Sequence, residues 1–205
     1  LIVFCNLTFN KKQFVMNTIS YVNGISEISL LGETIGQNLK KIVEQFPTAD
    51  ALVSVHQNYK ADYQTFYNHT TKVAKSLIAA GIAKGDRVGI WAPNCFEWTL
   101  LQFATARIGV ILVNVNPAYR PHEVEFAINQ SGISLMVSAV SHKTSNYKEM
   151  LSCVIEDCPT LNQVVYLNEE WYAFLELASD ISDEVLEILE KAVQFDDPVN
   201  IQYTS

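Results

Sequence analysis

From residue 34 onward, short apolar runs alternate with segments whose apolar residues recur at helical spacing. Thr34-Ile35-Gly36-Gln37 has the form of a capping box. Ile35, Leu39, Ile42 and Phe46 follow at a helical period as far as Pro47, which predicts a helix over about 34–46. Residues 51–55 alternate as a strand, His56 to Lys60 reads as a turn, and Phe66, Val73, Leu77 and Ala80 carry a second helix that Gly81 ends. Regular rounds come next. A strand over 87–91, a loop at Pro93-Asn94, a helix over 96–108 ended by Gly109 and a strand over 110–115 form the first. Pro121 then opens a helix containing Val124, Ala127 and Ile128, Ser131-Gly132 closes it, and 135–140 is the next strand. A helix over about 146–156 stops near Pro159 before a strand at 164–167. Residues 168–197 read as an acidic, amphipathic, peripheral helical insert ahead of Pro198 and a last strand.

Strands alternating with long helices predict the α/β class, with a mainly parallel sheet flanked by helices. The strands near 87–91, 110–115, 135–140 and 201–204 are expected at its centre, because their apolar runs suit burial on both faces. With 205 residues, 49% of them hydrophobic, the chain is long enough for one large core. No stretch approaches the ~18 apolar residues of a membrane-spanning helix.

Charge is unevenly placed. Of 22 acidic residues, 12 fall within 151–205, where Lys191 is the lone basic residue. Glu169, Glu170, Glu176, Asp180, Asp183, Glu184, Glu187 and Glu190 read as a solvated helical face, which argues against nucleic acid as a partner. Cys5, Cys95, Cys153 and Cys158 form neither a CxxC pair nor a regular disulfide framework, so a reducing cytoplasm is the expected compartment. His56, His69, His122 and His142 make no HxxxH pair, and no metal site is expected in the chain.

The spacing G-x-G-x-x-G after a strand is absent, as are a complete Walker loop and a G-x-S-x-G elbow, which argues against dinucleotide oxidoreductases and α/β-hydrolases. Asn116-Pro117-Ala118-Tyr119-Arg120-Pro121 follows the carboxyl end of a strand, where open α/β sheets place ligands. Tyr119 and Arg120 are therefore substrate-channel candidates, against the alternative that two prolines merely stiffen the connection. The segment Val199-Asn200-Ile201-Gln202-Tyr203-Thr204-Ser205 reads as a strand running into a hydroxyl pair.

In order along the chain, Lys84-Gly85-Asp86-Arg87-Val88, Pro93-Asn94, the block from Gly109 to Asn116-Pro117, and Tyr203-Thr204-Ser205 resemble the adenylate-forming, or AMP-binding, enzymes. Ser20-Tyr21-Val22-Asn23-Gly24 and Leu30-Leu31-Gly32-Glu33-Thr34-Ile35-Gly36 are similar to the medium-chain fatty acyl-CoA synthetase branch. The resemblance covers about 19–205 and implies the incomplete N-terminal part of the large domain of such an enzyme, truncated at the phosphate loop. Residues 1–18 form an unassigned extension. Since the chain begins with Leu1 and Met16 opens the resembling stretch, 1–15 are expected to be upstream read-through or a pre-segment.

The resemblance implies that Thr204 and Ser205 contact the phosphates of ATP, that no catalytic residue lies within this chain, and that the complete enzyme uses ATP, Mg2+, CoA and a fatty acid. Such enzymes attack the α-phosphate of ATP with a carboxylate, release pyrophosphate, and then let the CoA thiol displace AMP from the acyl-adenylate. The chain alone is expected to be inactive. Two alternatives stay open: an aryl-CoA ligase or other adenylation domain, and a short non-catalytic binding or interaction protein. Oligomeric state is not encoded in any pattern found.

Overall fold

The computed structural model describes residues 27, 28 and 30–203. The chain divides into two units, 1–32 and 33–205, and the architecture below belongs to the second. The extension expected over 1–18 lies outside the described residues.

Helix α1 (Ile35–Gln45) starts as its capping box dictates: Thr34 Oγ1 accepts from the Gln37 amide at 3.2 Å and Gln37 Oε1 accepts from the Thr34 amide at 3.0 Å. Strand β1 (Asp50–Ser54) then pairs antiparallel with β2 (Tyr59–Asp62). The expected turn over His56 to Lys60 is thus too long. A single 3-10 turn, Val55–Gln57, and the left-handed Asn58 (φ 50°) reverse the chain early enough for Tyr59 to pair with Ser54. Asp62 caps α2 (Tyr63–Ala79), its Oδ1 accepting from the Thr65 amide at 2.7 Å, and Gly81, at φ 84°, takes the left-handed turn that ends it.

Strand β3 (Arg87–Trp91) leads through α3 (Phe96–Arg107) to β4 (Ile111–Asn114), then through α4 (Pro121–Ser131) to β5 (Ile133–Ser138). A two-residue hairpin, β6 (Ser141–His142) and β7 (Ser145–Asn146), precedes α5 (Tyr147–Val154) and β8 (Gln163–Tyr166). Two further helices, α6 (Trp171–Glu176) and α7 (Asp183–Ala192), cross to β9 (Asn200–Gln202). The five-stranded sheet has order β8-β5-β3-β4-β9 and every pairing in it is parallel. From β3 the chain steps one way to β4, then back over β3 to β5 and on to β8. Right-handed crossovers therefore put α3 on one face and α4 and α5 on the other. Packing agrees: α4 touches α5, while α2 touches α1, α3 and α6.

Burial explains the apolar runs. Val88, Ile90, Leu112, Val113, Leu135, Met136 and Val137 are all fully buried between the helix layers. Gly89 belongs to this packing, since a Cβ built on it would lie 2.8 Å from both Ile133 Cδ1 and Met136 Sδ. Gly89→Val is expected to lower stability by about 1–3 kcal/mol through overpacking. Chemical denaturation of the chain tests this; an unchanged midpoint would mean that Met136 swings clear at no cost.

One expectation needs correction. Strand β9 is not central: it sits at the edge, paired with β4 alone among the described residues. Its outer backbone groups meet no strand among the described residues and Val199 is exposed, so the 205-residue chain by itself is expected to aggregate through this edge. The acidic segment keeps its solvated face, with its carboxylate residues from Glu169 to Glu187 all exposed and Glu190 half-buried, and packs its apolar face inward as its amphipathic pattern predicts. Trp171, Phe174, Ala178 and Leu186 are buried, and its carboxylates meet cations from earlier elements: Glu169 with Lys148 at 2.5 Å, Glu176 with Lys72 at 2.7 Å, Asp183 with Lys75 at 2.8 Å and Glu190 with Arg107 at 2.6 Å. The acidic surplus is thus partly offset by ion pairs at the surface, with Glu190 to the enclosed Arg107 as the exception.

Candidate substrate site at the carboxyl edge of the sheet

The loops after β3 and β4 leave the sheet toward opposite faces, which opens a crevice at the carboxyl ends of these strands. The β4–α4 loop enters it under several restraints. Val115 N–H donates to the Ile90 carbonyl at 3.0 Å, extending the β3–β4 ladder by one residue. Trp91, at the end of β3 and fully buried, donates its Nε1–H to the Asn116 carbonyl at 3.0 Å. Tyr147, the first residue of α5 and also fully buried, donates its hydroxyl to the Pro117 carbonyl at 2.5 Å. Burial raises the Tyr147 phenol above its ordinary range and keeps it a donor. The two rings stack with centroids 3.9 Å apart and planes 9° apart. Within the loop, Asn116 Oδ1 accepts from the Ala118 amide at 2.9 Å, and the Asn116 carbonyl also accepts from the Tyr119 amide at 3.0 Å.

This path half-buries Tyr119 against a cavity of about 430 Å3 that it lines with His122, Glu123, Phe126 and Tyr203. The volume falls in the range of small-molecule sites, roughly 300–1,000 Å3. Tyr203 immediately follows β9, and its hydroxyl donates to the Ala127 carbonyl at 3.3 Å, tying the strand end to α4. Burial raises the Tyr203 phenol above its ordinary range, so the wall is neutral there.

Arg120 does not join Tyr119. Its side chain is exposed and meets no acceptor among the described residues, whereas its amide donates to Glu123 Oε2 at 2.7 Å to start α4. Thr204 and Ser205 lie outside the described residues. As cavity-lining residues, Tyr203, His122 and Phe126 are not predicted by the sequence, which offers His122 only as one of four unpaired histidines. The signal for Tyr203 was its place before the hydroxyl pair, while His122 and Phe126 sit on a helix whose facing partner no local pattern reveals.

Asn114, at the end of β4, carries an unmet group. Its Nδ2 donates to Gln202 Oε1 across the β4–β9 pair at 2.9 Å, leaving Oδ1 buried without a partner among the described residues. Turning both amides over would leave Nδ2 unmet instead, so the position has spare hydrogen-bonding capacity beside the strand that leads to Thr204. No three His, Cys, Asp or Glu side chains converge among the described residues, so none of them is assigned to Mg2+.

A second cleft, about 260 Å3, lies on the α2–α3 side between Tyr59, His69, Phe96, Leu100, Trp171 and Tyr172. Tyr59 stacks on Phe96 at 3.9 Å, and its hydroxyl lies 2.8 Å from His69 Nδ1. Burial, then the Lys72 charge, holds the His69 imidazole below its ordinary range. The unfolded chain therefore takes up the proton first. Stability from His69 is complete above the ordinary imidazole value of about 6.5 and is lost as pH falls through the lower folded value. Denaturation midpoints should drop on acidification from neutrality, and the drop should shrink in His69→Gln; equal slopes in the two proteins would exclude His69 as the source. On the other side of Phe96, Cys95 precedes α3 without capping it, and Gln57 Oε1 accepts from the Phe96 amide at 2.7 Å instead. Burial pushes the Cys95 thiol up to about 12, which makes it a packing residue rather than a nucleophile.

The sequence profile of the AMP-binding enzymes matches residues 39–205. The chain is 35% identical over 207 aligned residues to the mitochondrial medium-chain acyl-CoA ligase ACSF2 of Danio rerio, covering 92% of this chain and 34% of that protein. Among solved structures, a long-chain-fatty-acid-CoA ligase from Archaeoglobus fulgidus superposes with a TM-score of 0.71 at 20% identity, over 90% of this chain and 37% of that one. The anthranilate CoA ligase AuaEII does so with a TM-score of 0.67 at 15% identity, over 86% and 32%. At these identities the structural likeness establishes the fold. The chain thus spans about a third of the length of the relatives it matches.

Proposed function

Because the chain belongs to the AMP-binding enzyme family, we propose that it is part of a fatty acyl-CoA synthetase that converts a medium-chain fatty acid to its acyl-adenylate with ATP and Mg2+ and then to the CoA thioester. The 35% identity to a medium-chain acyl-CoA ligase across nearly the whole chain carries this reading. The crevice suits it. The β4–α4 loop, Tyr203 and the end of β9 converge on one apolar-walled cavity beside the position where the phosphate loop is expected to begin. Tyr119 is assigned to the wall of the substrate channel, and Thr204 and Ser205 to the ATP phosphates. The partners in this reading are small molecules, and the compartment is a reducing one, cytoplasmic on the pattern of the free thiols Cys95, Cys153 and Cys158.

The test uses the complete protein that contains this chain. ATP–pyrophosphate exchange dependent on a medium-chain fatty acid, followed by thioester formation with CoA, is the expected result. Turnover of benzoate or cinnamate with fatty acids inert would replace the reading by an aryl-CoA ligase, and no exchange with any carboxylate would replace it by a binding protein. The 205-residue chain by itself is expected to form no AMP and to show negligible ATP affinity by calorimetry. Retaining a triphosphate requires a closed nest of N–H donors with cationic charge, which two hydroxyl residues do not supply.

A further inference from the structure

The geometry points to Trp91 and Tyr147 as positioning residues that fix the β4–α4 loop, and through it the Tyr119 wall, for the carboxylic acid substrate. This inference rests on the reading above and adds to it a pair of residues that touch neither substrate nor nucleotide. The two side chains come from different crossovers: Trp91 from the end of β3, Tyr147 from the start of α5. Each is fully buried and each uses its one polar hydrogen on a successive loop carbonyl, Asn116 and then Pro117. Their stacking at 3.9 Å makes one rigid slab of the two donors.

The loop offers few other restraints. Between Val115, held by the ladder, and Arg120, held by Glu123, its remaining polar contacts are the local turn bonds of Asn116. Removing the Tyr147 donor leaves the Pro117 carbonyl without its partner, and removing the Trp91 donor leaves the Asn116 carbonyl with only the local Tyr119 amide, so in either case a tie between the loop and the core is lost and the loop is free to turn. Tyr119 is three residues beyond the first clamped carbonyl and two beyond the second, so its ring cannot keep its place against Tyr203 when the loop rotates. A cavity wall that moves changes the fit of the group it encloses, whereas the nucleotide site, expected beyond Tyr203, is reached by a different strand.

The complete protein is compared with Tyr147→Phe and Trp91→Phe, which keep the stacked rings and remove one donor each. The KM for the acid is expected to rise about three- to tenfold in each, the scale of one neutral hydrogen bond, with the KM for ATP and for CoA unchanged. The double variant should show less than the product of the single effects, because both donors hold one loop. Phe66→Leu, a core substitution on the α2–α3 side, serves as the control for general destabilisation and should leave the acid KM alone. Hydrogen exchange gives a readout independent of turnover: the Ala118 and Tyr119 amides should lose protection in both phenylalanine variants while β3 and β4 keep theirs.

Unchanged acid KM in both variants, an equal rise in Phe66→Leu, or a rise confined to ATP or CoA would overturn the assignment. So would unaltered exchange at Ala118 and Tyr119. A parent protein that turns over no carboxylic acid would remove the substrate part of the inference together with the proposed function, while the exchange experiment would still decide whether the clamp holds the loop.

Discussion

Arg107→Ala is expected to destabilise the fold by about 3–5 kcal/mol, the scale of breaking a buried ionic network by removing one partner. Arg107 ends α3 with its side chain 1% exposed. Its Nε–H donates to Glu190 at 2.6 Å, and one terminal nitrogen donates to the hydroxyls of Thr70 and Thr71, both at 2.9 Å. The guanidinium also lies over the Tyr67 ring, 4.3 Å from its centroid. One side chain thus joins α2, α3 and α7, and Gly36 of α1 packs so close that a Cβ there would sit 3.1 Å from Arg107 Cγ. Loss of the side chain opens a cavity among four helices as well as unpairing Glu190. Glu190→Gln leaves the enclosed Arg107 cation without its counter-charge but keeps a packed side chain whose amide oxygen can still accept from Nε–H, so it should cost less, about 1–3 kcal/mol. Thermal or urea denaturation distinguishes the two variants. If Arg107→Ala fell within 1 kcal/mol of the parent, the network would be shown to contribute nothing beyond what its desolvation costs.

Trp91→Ala should lower stability by a similar amount, about 3–5 kcal/mol for a large aromatic truncated in a close-packed core. Trp91 is fully buried at the end of a strand with neighbours on both sides, and its backbone carbonyl accepts from the Ala139 amide at 3.0 Å. Truncation removes the stacking on Tyr147 and the indole donor to Asn116 together. Trp91→Phe, keeping the ring but not the donor, should recover most of the loss. Equal destabilisation by the two substitutions would assign the effect to the hydrogen bond, not to the ring volume.

Residue order alone was enough for the main helices and the strands of the parallel sheet, though not for β2 or the β6–β7 hairpin. The capping box at Thr34, the left-handed glycines 81 and 132, Pro121 at the start of α4 and the apolar runs at 87–91 and 135–140 act within a few residues of themselves. Local backbone sterics and period therefore sufficed to find them. The same holds for the family, because the blocks that carry it are contiguous in the chain. Tyr119 and Arg120 are equally placed in sequence, after a strand, and only the folded loop distinguishes them, Tyr119 lining the cavity and Arg120 lying exposed.

Contacts between distant segments were settled only by the packed molecule. Helix α3 is apolar around its circumference, so its pattern names no facing partner, and nothing local announces that Arg107 will be enclosed by α2 and α7. Strand β9 reads as apolar enough for a centre yet pairs with β4 alone among the described residues, since a strand's place in a sheet is fixed by crossovers rather than by its own pattern. The acidic run is solvated as its pattern predicts, but the cations that some of its carboxylates meet lie far back in sequence and no local pattern names them. Trp91 and Tyr147 meet for the same reason: the path from β3 to α5 returns over the sheet, and a period along one segment describes its face but not what will cover it.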